Sequence, residues 1–230
     1  MDAYCPTCKQ ELLDEREAAE TIRALEQASQ RQRRYFEALV EGAAIPPRFQ
    51  DRSFENHHPP TEAAKKIHTI CKQYAEEFPT NRKLGRGLIF CGNAGTGKSH
   101  LACAIANFII REHKLSAVFM KVAKAIRTVK DTYRSSADKT EQEAINWFKL
   151  PDLLILDEVG VQFGTEAEKY ILFEIINERY EQLKPTLLLS NLALEALTQY
   201  TGERVIDRMK ENGGRLLVFD WKSHRGKEIV

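Results

Sequence analysis

From Gly87 onward, short apolar runs alternate with amphipathic stretches, and this alternation limits the folds open to the chain. A continuous apolar run predicts a strand buried on both faces, and the amphipathic stretches between such runs predict crossover helices. The pattern therefore favours an α/β fold with a parallel sheet flanked by helices. We expect strands at LIFC (88–91), AVFMKV (117–122), LLILD (153–157), TLLLSN (186–191) and RLLVFDW (215–221), and helices at 61–78, 98–113, 123–134, 166–183 and 193–211.

The residues before the predicted sheet differ in composition and predict a small N-terminal region. Residues 1–8 hold two cysteines, and residues 10–42 are rich in Glu, Arg, Gln and Ala, which predicts a long helix. A coiled coil and a partner-binding surface helix are equal alternatives for it, because polar residues interrupt its apolar seam. The prolines of IPPRF (45–49) end this helix. We expect an N-terminal region at 1–48 and a main domain at 49–230.

The composition indicates a globular protein without a membrane-spanning segment. The chain has 230 residues, is 43% hydrophobic and 29% charged, and carries a net charge of +1. No apolar run approaches the ~20 residues that cross a bilayer, and MDAYCPTCKQ lacks the apolar core of a signal peptide. We therefore expect a cytoplasmic protein with no membrane partner. Cys71, Cys91 and Cys103 stand alone in apolar or helical surroundings, which predicts reduced, buried thiols.

A glycine-rich segment, GNAGTGKS, matches the phosphate-binding pattern G-x-x-x-x-G-K-[ST] and lies between a predicted strand and a predicted helix. Backbone N–H groups of such a loop surround phosphate oxygens, and the helix N-terminus adds its positive end. Lys98 is expected to reach the β- and γ-phosphates of ATP, and the Ser99 hydroxyl to hold Mg²⁺. The expected nucleotide-binding residues of the loop are Gly92, Asn93, Ala94, Gly95, Thr96, Gly97, Lys98 and Ser99.

Polar side chains at the ends of two later strands complete the predicted site. Asp157 ends the apolar run LLILD, where an acidic partner of Mg²⁺ belongs. Glu158 follows it directly and is a candidate base for attack of water on the γ-phosphate, which favours a nucleotide hydrolase over a small-molecule kinase. Asn191 ends TLLLSN and is expected beside Asp157 if the two strands are neighbours. There it could orient the attacking water, although an Asn at a strand end is often only a turn former.

Two arginines and one tyrosine lie on later charged segments. TGERVIDRMK (201–210) places Arg204 and Arg208 four residues apart, so on a helix both project from one face. In isolation this is an ordinary charged helix face. Tyr133 lies in KDTYRSS, where an aromatic ring among basic residues suits stacking on single-stranded bases. The alternative for Tyr133 is an aromatic side chain packed in the core.

The cysteine pair CPTC resembles half of a zinc knuckle, with Cys5 and Cys8 as two of the four ligands that a structural zinc site needs. His57 and His58, or the same cysteine pair of a second protomer, are candidates for the remaining ligands. A thioredoxin-like redox motif does not fit, because no strand precedes the pair. An unmetallated tail is the alternative to zinc.

Over residues 49–225 the sequence resembles the DnaC family of AAA+ helicase loaders, in the wider group that includes DnaA initiators. The resemblance rests on SFEN (53–56), FCGNAGTGKSHLACAIAN (90–107), KDTYR (130–134), DLLILDEVGVQ (152–162), LSN (189–191), GERVIDRM (202–209) and FDWKSHR (219–225). It implies a P-loop AAA+ module. It also implies that Lys98 and Ser99 are Walker A, Asp157 and Glu158 Walker B, Asn191 sensor 1, Arg208 the arginine finger and Arg225 the sensor 2 arginine, and that Tyr133 contacts single-stranded DNA.

This resemblance implies an ATPase that binds a hexameric replicative helicase through its N-terminal region and delivers it to single-stranded DNA. Self-assembly would place the arginine finger of one subunit at the ATP of its neighbour. The alternative function is an ATPase helper subunit of an insertion-sequence transposase, which has a similar module. A third possibility, an adaptor that binds nucleotide without hydrolysing it, conflicts with the intact Lys98, Asp157, Glu158 and Arg208.

Overall fold

A five-stranded parallel sheet with the strand order β2-β3-β4-β1-β5 forms the centre of the protein. The computed structural model describes residues 33–134, 136–161 and 164–223, together with residues 23, 27, 30 and 31. The apolar runs predicted as strands are confirmed, with small differences at their ends. The strands are β1 (Leu88–Gly92), β2 (Ala117–Lys121), β3 (Leu153–Val159), β4 (Thr186–Ser190) and β5 (Arg215–Phe219).

Helices cover both faces of the sheet. Residues 33–42 form the described end of a first helix, α1. The others are α2 (Glu62–Glu76), α3 (Phe78–Lys83), α4 (Lys98–Phe108), α5 (Val122–Lys130), α6 (Glu141–Trp147), α7 (Glu166–Glu181), α8 (Leu194–Thr201) and α9 (Glu203–Lys210). Successive side chains of a strand point to opposite faces. Accordingly, Leu88 and Phe90 of β1 enter the core under α2 and α4. Ile89 and Cys91 enter the core under α5, α7 and α9.

One predicted helix, 193–211, is two helices in the structure. Gly202 has a φ of +86° and separates α8 from α9. A glycine reaches this conformation without steric cost, and the chain can therefore change direction there. As a consequence, α9 carries Arg204 and Arg208 on a short helix with its own orientation, and not on a continuation of α8.

Other helix predictions differ from the structure at their ends. The stretch predicted at 98–113 is α4 followed by a π-helical turn, Ile109–His113. The stretch predicted at 123–134 is α5 followed by a 3-10 turn, Asp131–Tyr133. The short helix α6 was not predicted; Thr140 caps its N-terminus and forms a reciprocal capping box with Glu143. Capping residues three apart followed by alanine and isoleucine were the signal for it.

The end of α1 and the segment after it pack against the main domain. Leu39, Ala43 and Ile45 are buried in the same core as β1. The carbonyl of Ala43 accepts a hydrogen bond of 2.8 Å from the backbone N–H of Phe119, on the edge strand β2. The division of the chain at residues 48 and 49 stays a prediction, and most of region 1–48 lies outside the described residues.

Cysteine chemistry in the main domain matches the sequence prediction. Cys71, Cys91 and Cys103 are free and buried. Burial raises the pKa of the Cys103 thiol to about 12, so this thiol stays protonated at neutral pH. Within the described ranges, none of the helices is both long and apolar enough to span a membrane.

Arg179 of α7 forms hydrogen bonds to the segments at the amino-terminal ends of β3 and β4. Its side chain is fully buried. It donates hydrogen bonds to the carbonyls of Phe148 (2.6 Å), Pro151 (3.0 Å) and Pro185 (2.6 Å), and to the hydroxyl of Thr186 (3.0 Å). Burial lowers the pKa of Arg179 to about 9, which still leaves the guanidinium charged at neutral pH. One side chain therefore satisfies acceptors from two separate segments, 148–151 and 185–186.

We expect Arg179→Met to lower the free energy of unfolding by about 3 kcal/mol, because buried carbonyls lose their donors while the apolar volume is kept. Urea unfolding followed by circular dichroism measures this change. The matched control is Arg127→Met on α5, where the side chain is exposed, and there we expect a change within about 0.5 kcal/mol. Equal stability of the two variants would contradict the structural role of Arg179.

Candidate nucleotide-binding site

The glycine-rich loop connects β1 to α4, as predicted, and its ends have backbone conformations that favour glycine. Gly92 has a φ of +116° and Gly97 a φ of +99°. A Cβ atom on Gly92 would lie 2.4 Å from the carbonyl oxygen of Phe219 on β5. The loop is also tied to the segment after β5: Asn93 donates to the carbonyl of Asp220 (2.8 Å), and the indole N–H of Trp221 donates to the carbonyl of Thr96 (3.2 Å).

A histidine ring lies directly against Gly97. A Cβ atom on Gly97 would be 2.7 Å from Nε2 of His57. The His57 ring stacks on His68 of α2, with 5.4 Å between ring centroids and 12° between planes, and meets the edge of His100 of α4 at 4.9 Å. The ring nitrogens of His68 and His100 are in turn within hydrogen-bond distance of the carbonyls of Phe54 and Ser53. The loop is thus supported from outside by the segment that precedes α2.

Lys98 is buried at the first position of α4. Its ammonium group donates to the carbonyls of Gly92 (2.8 Å) and Asn93 (2.6 Å), which belong to the loop itself. The positive charge is therefore held inside the loop, where the backbone N–H groups of a P-loop surround phosphate.

Ser99 and Asp157, which were both predicted to hold Mg²⁺, contact each other across the site. The Ser99 hydroxyl donates to Oδ2 of Asp157 at 2.9 Å. Burial raises the pKa of the Asp157 carboxyl, although the Ser99 hydroxyl and the N–H of Glu158 act against this shift. A desolvated carboxylate gains stability from a nearby cation, and carboxylate and hydroxyl oxygens are ligands that Mg²⁺ prefers. These two residues therefore fit a magnesium ion.

Glu158 has a strained backbone at the end of β3. Its φ is +61°, and the register between β3 and β4 shifts between Leu156 and Val159. Left-handed backbone at a residue other than glycine costs free energy and is concentrated at functional sites. The Glu158 carboxylate forms an ion pair of 2.8 Å with Lys121, the last residue of β2. In this ion pair, the Lys121 ammonium donates a hydrogen bond to Oε1 of Glu158.

The strand order places Asn191 at the carboxyl end of the strands, the same end as Asp157. β4 lies between β3 and β1, and Asn191 follows the last residue of β4 with an exposed side chain. The condition for Asn191 to lie near Asp157, that their strands are neighbours, is met. Its part in orienting water stays a prediction.

The predicted arginines have different environments. Arg204 and Arg208 both lie on α9, with Arg204 exposed and Arg208 half-buried. The Arg208 guanidinium lies over the rings of Phe173 (4.7 Å) and Tyr180 (5.5 Å) of α7. Arg225 lies outside the described residues.

Tyr133 lies on the surface, and the alternative that it packs in the core is wrong. Its side chain is 56% exposed at the end of the 3-10 turn after α5. Its hydroxyl donates to Glu141 at 2.7 Å. Partial burial, together with this bond to a carboxylate, raises the pKa of Tyr133 to about 12. The ring is thus accessible, and its hydroxyl is protonated at neutral pH.

The zinc prediction is not supported. Cys5 and Cys8 lie outside the described residues. The ring of His57, a candidate further ligand, stacks on His68 and meets the edge of His100. Among residues 33–134, 136–161 and 164–223, no group of three or more His, Cys, Asp or Glu side chains is arranged to hold a metal ion.

Comparison with known proteins identifies the family. Residues 5–210 match the family model described as IstB-like ATP binding protein. The chain belongs to this family. It is 37% identical over 185 residues to the replicative helicase loader DnaC of Escherichia coli strain K12, which covers 80% of this chain and 74% of the relative. It is 38% identical over 179 residues to the DnaC of Buchnera aphidicola subsp. Baizongia pistaciae, which covers 78% of this chain and 71% of the relative.

Solved structures confirm the fold of this IstB-like chain. A crystal structure of the DnaC helicase loader matches with a TM-score of 0.68 at 23% identity, over 76% of this chain and 100% of that one. The AMPPCP-bound DnaA of Aquifex aeolicus matches with a TM-score of 0.61 at 23% identity, over 78% of this chain and 52% of that one. The main domain is therefore a P-loop AAA+ module, and the predicted resemblance to the DnaC family is confirmed.

Several residues that shape the site were not predicted from the sequence. Lys121 pairs with Glu158, and the signal for it was a lysine at the end of the apolar run that lies in register beside Asp157. The sequence held no signal for the contact of His57 and His68 beside the loop. Their stacking depends on how the segment before α2 folds over the loop. Trp221 lies in the motif FDWKSHR, yet its bond to the loop carbonyl could be seen only in three dimensions.

We expect Gly97→Ala to weaken ATP binding and to lower the free energy of unfolding by about 1–3 kcal/mol. The new methyl group would meet His57, and alanine is strained at this φ. Urea unfolding and titration with a fluorescent ATP analogue measure both effects. Adding His57→Ala should remove the clash but leave the backbone strain.

The matched control is Gly42→Ala, in α1, where an added Cβ has no neighbour within 4 Å. Alanine is the better helix former, so this variant should be at least as stable as the wild type. If Gly97→Ala and Gly42→Ala bind ATP equally well, the conformation of the loop does not limit binding.

Proposed function

We propose that this chain is an ATP-dependent loader that binds a hexameric replicative helicase and delivers it to single-stranded DNA during replication initiation. The observation that carries the proposal is the hydrogen bond between Ser99 and Asp157, beside Lys98 and Glu158. It supports the proposal because Ser99 and Asp157 fit Mg²⁺ in a chain that is 37% identical to a replicative helicase loader.

Within the site, Lys98 binds the β- and γ-phosphates of ATP after leaving the loop carbonyls that it now contacts. Ser99 and Asp157 hold Mg²⁺, which when bound neutralises charge on the phosphate oxygens. The glycine-rich loop, from Gly92 to Ser99, contributes its backbone N–H groups.

Hydrolysis requires a base and an oriented water. Glu158 accepts the proton from the attacking water once its carboxylate has separated from Lys121. Asn191, at the end of the neighbouring strand, orients that water. Arg225, which lies outside the described residues, is the proposed sensor 2 arginine.

Arg208 acts on the ATP of a neighbouring subunit, as an arginine finger in trans. A guanidinium at the γ-phosphate stabilises the charge of the transition state and accelerates hydrolysis by orders of magnitude. Self-assembly therefore switches hydrolysis on. Arg204, exposed on the same helix, lies at this interface.

Partners bind to both regions of the chain. Region 1–48 binds the helicase. The main domain, 49–230, assembles with other subunits and hydrolyses ATP in the cytoplasm. Tyr133 stacks on bases of single-stranded DNA, since its ring is exposed.

A second candidate is the ATPase helper subunit of an insertion-sequence transposase. The observation in its favour is the family model, whose description is IstB-like ATP binding protein. The motifs GERVIDRM and FDWKSHR and the identity to DnaC relatives favour the loader. Co-purification with hexameric helicase or with transposase separates the two functions.

We expect wild-type protein and Glu158→Gln to form a complex with hexameric helicase in the presence of ATP. Lys98→Ala should fail to bind nucleotide and to load the helicase. Removing the base should slow hydrolysis by about 100-fold or more while ATP binding persists. Light scattering gives the mass of the complex, and phosphate release gives the rate. Glu76→Gln, an exposed position on α2, is the control. A Glu158→Gln variant with the wild-type rate would mean that Glu158 is not the base.

We expect Tyr133→Ala to weaken single-stranded DNA binding about tenfold, the amount that one stacked base contributes. Tyr133→Phe keeps the ring and should bind normally, although it loses the bond to Glu141. Fluorescence anisotropy of a labelled oligonucleotide measures the affinity. Tyr35→Ala, which removes a ring of 54% exposure on α1, is the matched control. Normal DNA affinity of Tyr133→Ala would remove Tyr133 from the DNA site.

A further inference from the structure

Two aromatic rings of α7 enclose the guanidinium of Arg208. The Cζ atom of Arg208 lies 4.7 Å from the centroid of Phe173 and 5.5 Å from that of Tyr180. Phe173 and Tyr180 are two helical turns apart and therefore lie on the same face of α7. The Tyr180 hydroxyl donates to Glu211, the residue that follows α9, so its ring is held in place from the same side as the arginine. We refer to Phe173 and Tyr180 as the aromatic pair.

The guanidinium is partly removed from water without a full set of acceptors. Nη1 of Arg208 is buried and has no hydrogen-bond partner in the described part of the chain. Ring faces attract the cation but accept no strong hydrogen bond, so they offset only part of the lost hydration. An anionic group that reached Nη1 would supply the hydrogen-bond acceptor that the aromatic pair does not.

The two arginines of α9 are in different states. Arg204 is exposed, whereas Arg208, one helical turn further on, is half-buried and in contact with its own subunit. A finger arginine has to present its guanidinium to the γ-phosphate of another subunit. While Arg208 contacts the aromatic pair, its guanidinium does not reach the γ-phosphate of another subunit.

We propose that Phe173 and Tyr180 are positioning residues that hold Arg208 against its own subunit until the ATP-bound face of a second copy withdraws it. The proposal rests on the proposed function, in which Arg208 acts in trans. The phosphate oxygens of the neighbouring ATP provide the acceptors that buried Nη1 lacks. Assembly must then overcome the cation–ring contacts before hydrolysis is stimulated, so the aromatic pair sets the protein concentration at which hydrolysis begins.

The test is the protein concentration at which assembly-stimulated ATP hydrolysis is half-maximal. Phe173→Leu combined with Tyr180→Leu keeps apolar volume and removes both rings, and we expect it to lower this concentration about tenfold. The affinity for ATP in the dilute, unassembled protein should not change. Tyr180→Phe keeps both rings and removes only the bond to Glu211, so its half-maximal concentration should stay closer to that of the wild type than that of the leucine variants. If the double variant does not fold, Tyr180→Leu alone should lower the concentration about threefold.

Two results would overturn the proposal. One is an unchanged half-maximal concentration in a folded leucine variant. The other is a loss of the stimulated rate in that variant, which would mean that the rings orient Arg208 for catalysis and do not hold it back.

Arg208→Ala separates this proposal from the proposed function. If Arg208→Ala abolishes stimulated hydrolysis while the leucine variants match the wild type, the finger stands and the role of the aromatic pair is wrong. If Arg208→Ala hydrolyses ATP normally, the finger itself is wrong.

Discussion

The parallel pairing of β3 with β4, and of β4 with β1, is the constraint on which the nucleotide site depends. It brings the carboxyl ends of β1 and β3 side by side, so that Ser99 contacts Asp157, which lies 58 positions away in the sequence. At the amino-terminal end of the strands, Arg179 binds the segments that lead into β3 and β4. A buried guanidinium thus fixes one end of the parallel strands, and the polar groups of the nucleotide site lie at the other end.

The sheet and the phosphate-binding loop could be predicted from sequence because each depends on local residues. Runs such as LLILD and TLLLSN are too apolar for any place but the interior, and the loop requires glycine at positive φ. The break at Gly202 was missed because a glycine within an amphipathic stretch does not by itself say whether a helix continues. The helix α6 was missed because it is short and its apolar residues are few.

Within the site, sequence predicted which residues have the right chemistry but not what they contact. Lys98 and Glu158 were predicted as site residues, and the structure pairs them with loop carbonyls and with Lys121. Arg208 was predicted as the arginine finger, and its guanidinium lies over two rings of α7. Such contacts depend on how distant segments pack, and residue type and spacing carry no information about them.

The hydrogen bond from Phe119 to the carbonyl of Ala43 has a consequence for how the protein meets other molecules. An edge strand presents unpaired backbone groups on which a strand of another chain can add. Along β2 the segment around Ala43 occupies one of these groups. Pro46 and Pro47 follow and have no backbone N–H, so the segment offers little for a further strand to pair with. The N–H of Phe119 is therefore already paired within the chain, so a strand added along this side of β2 would have to displace the segment around Ala43.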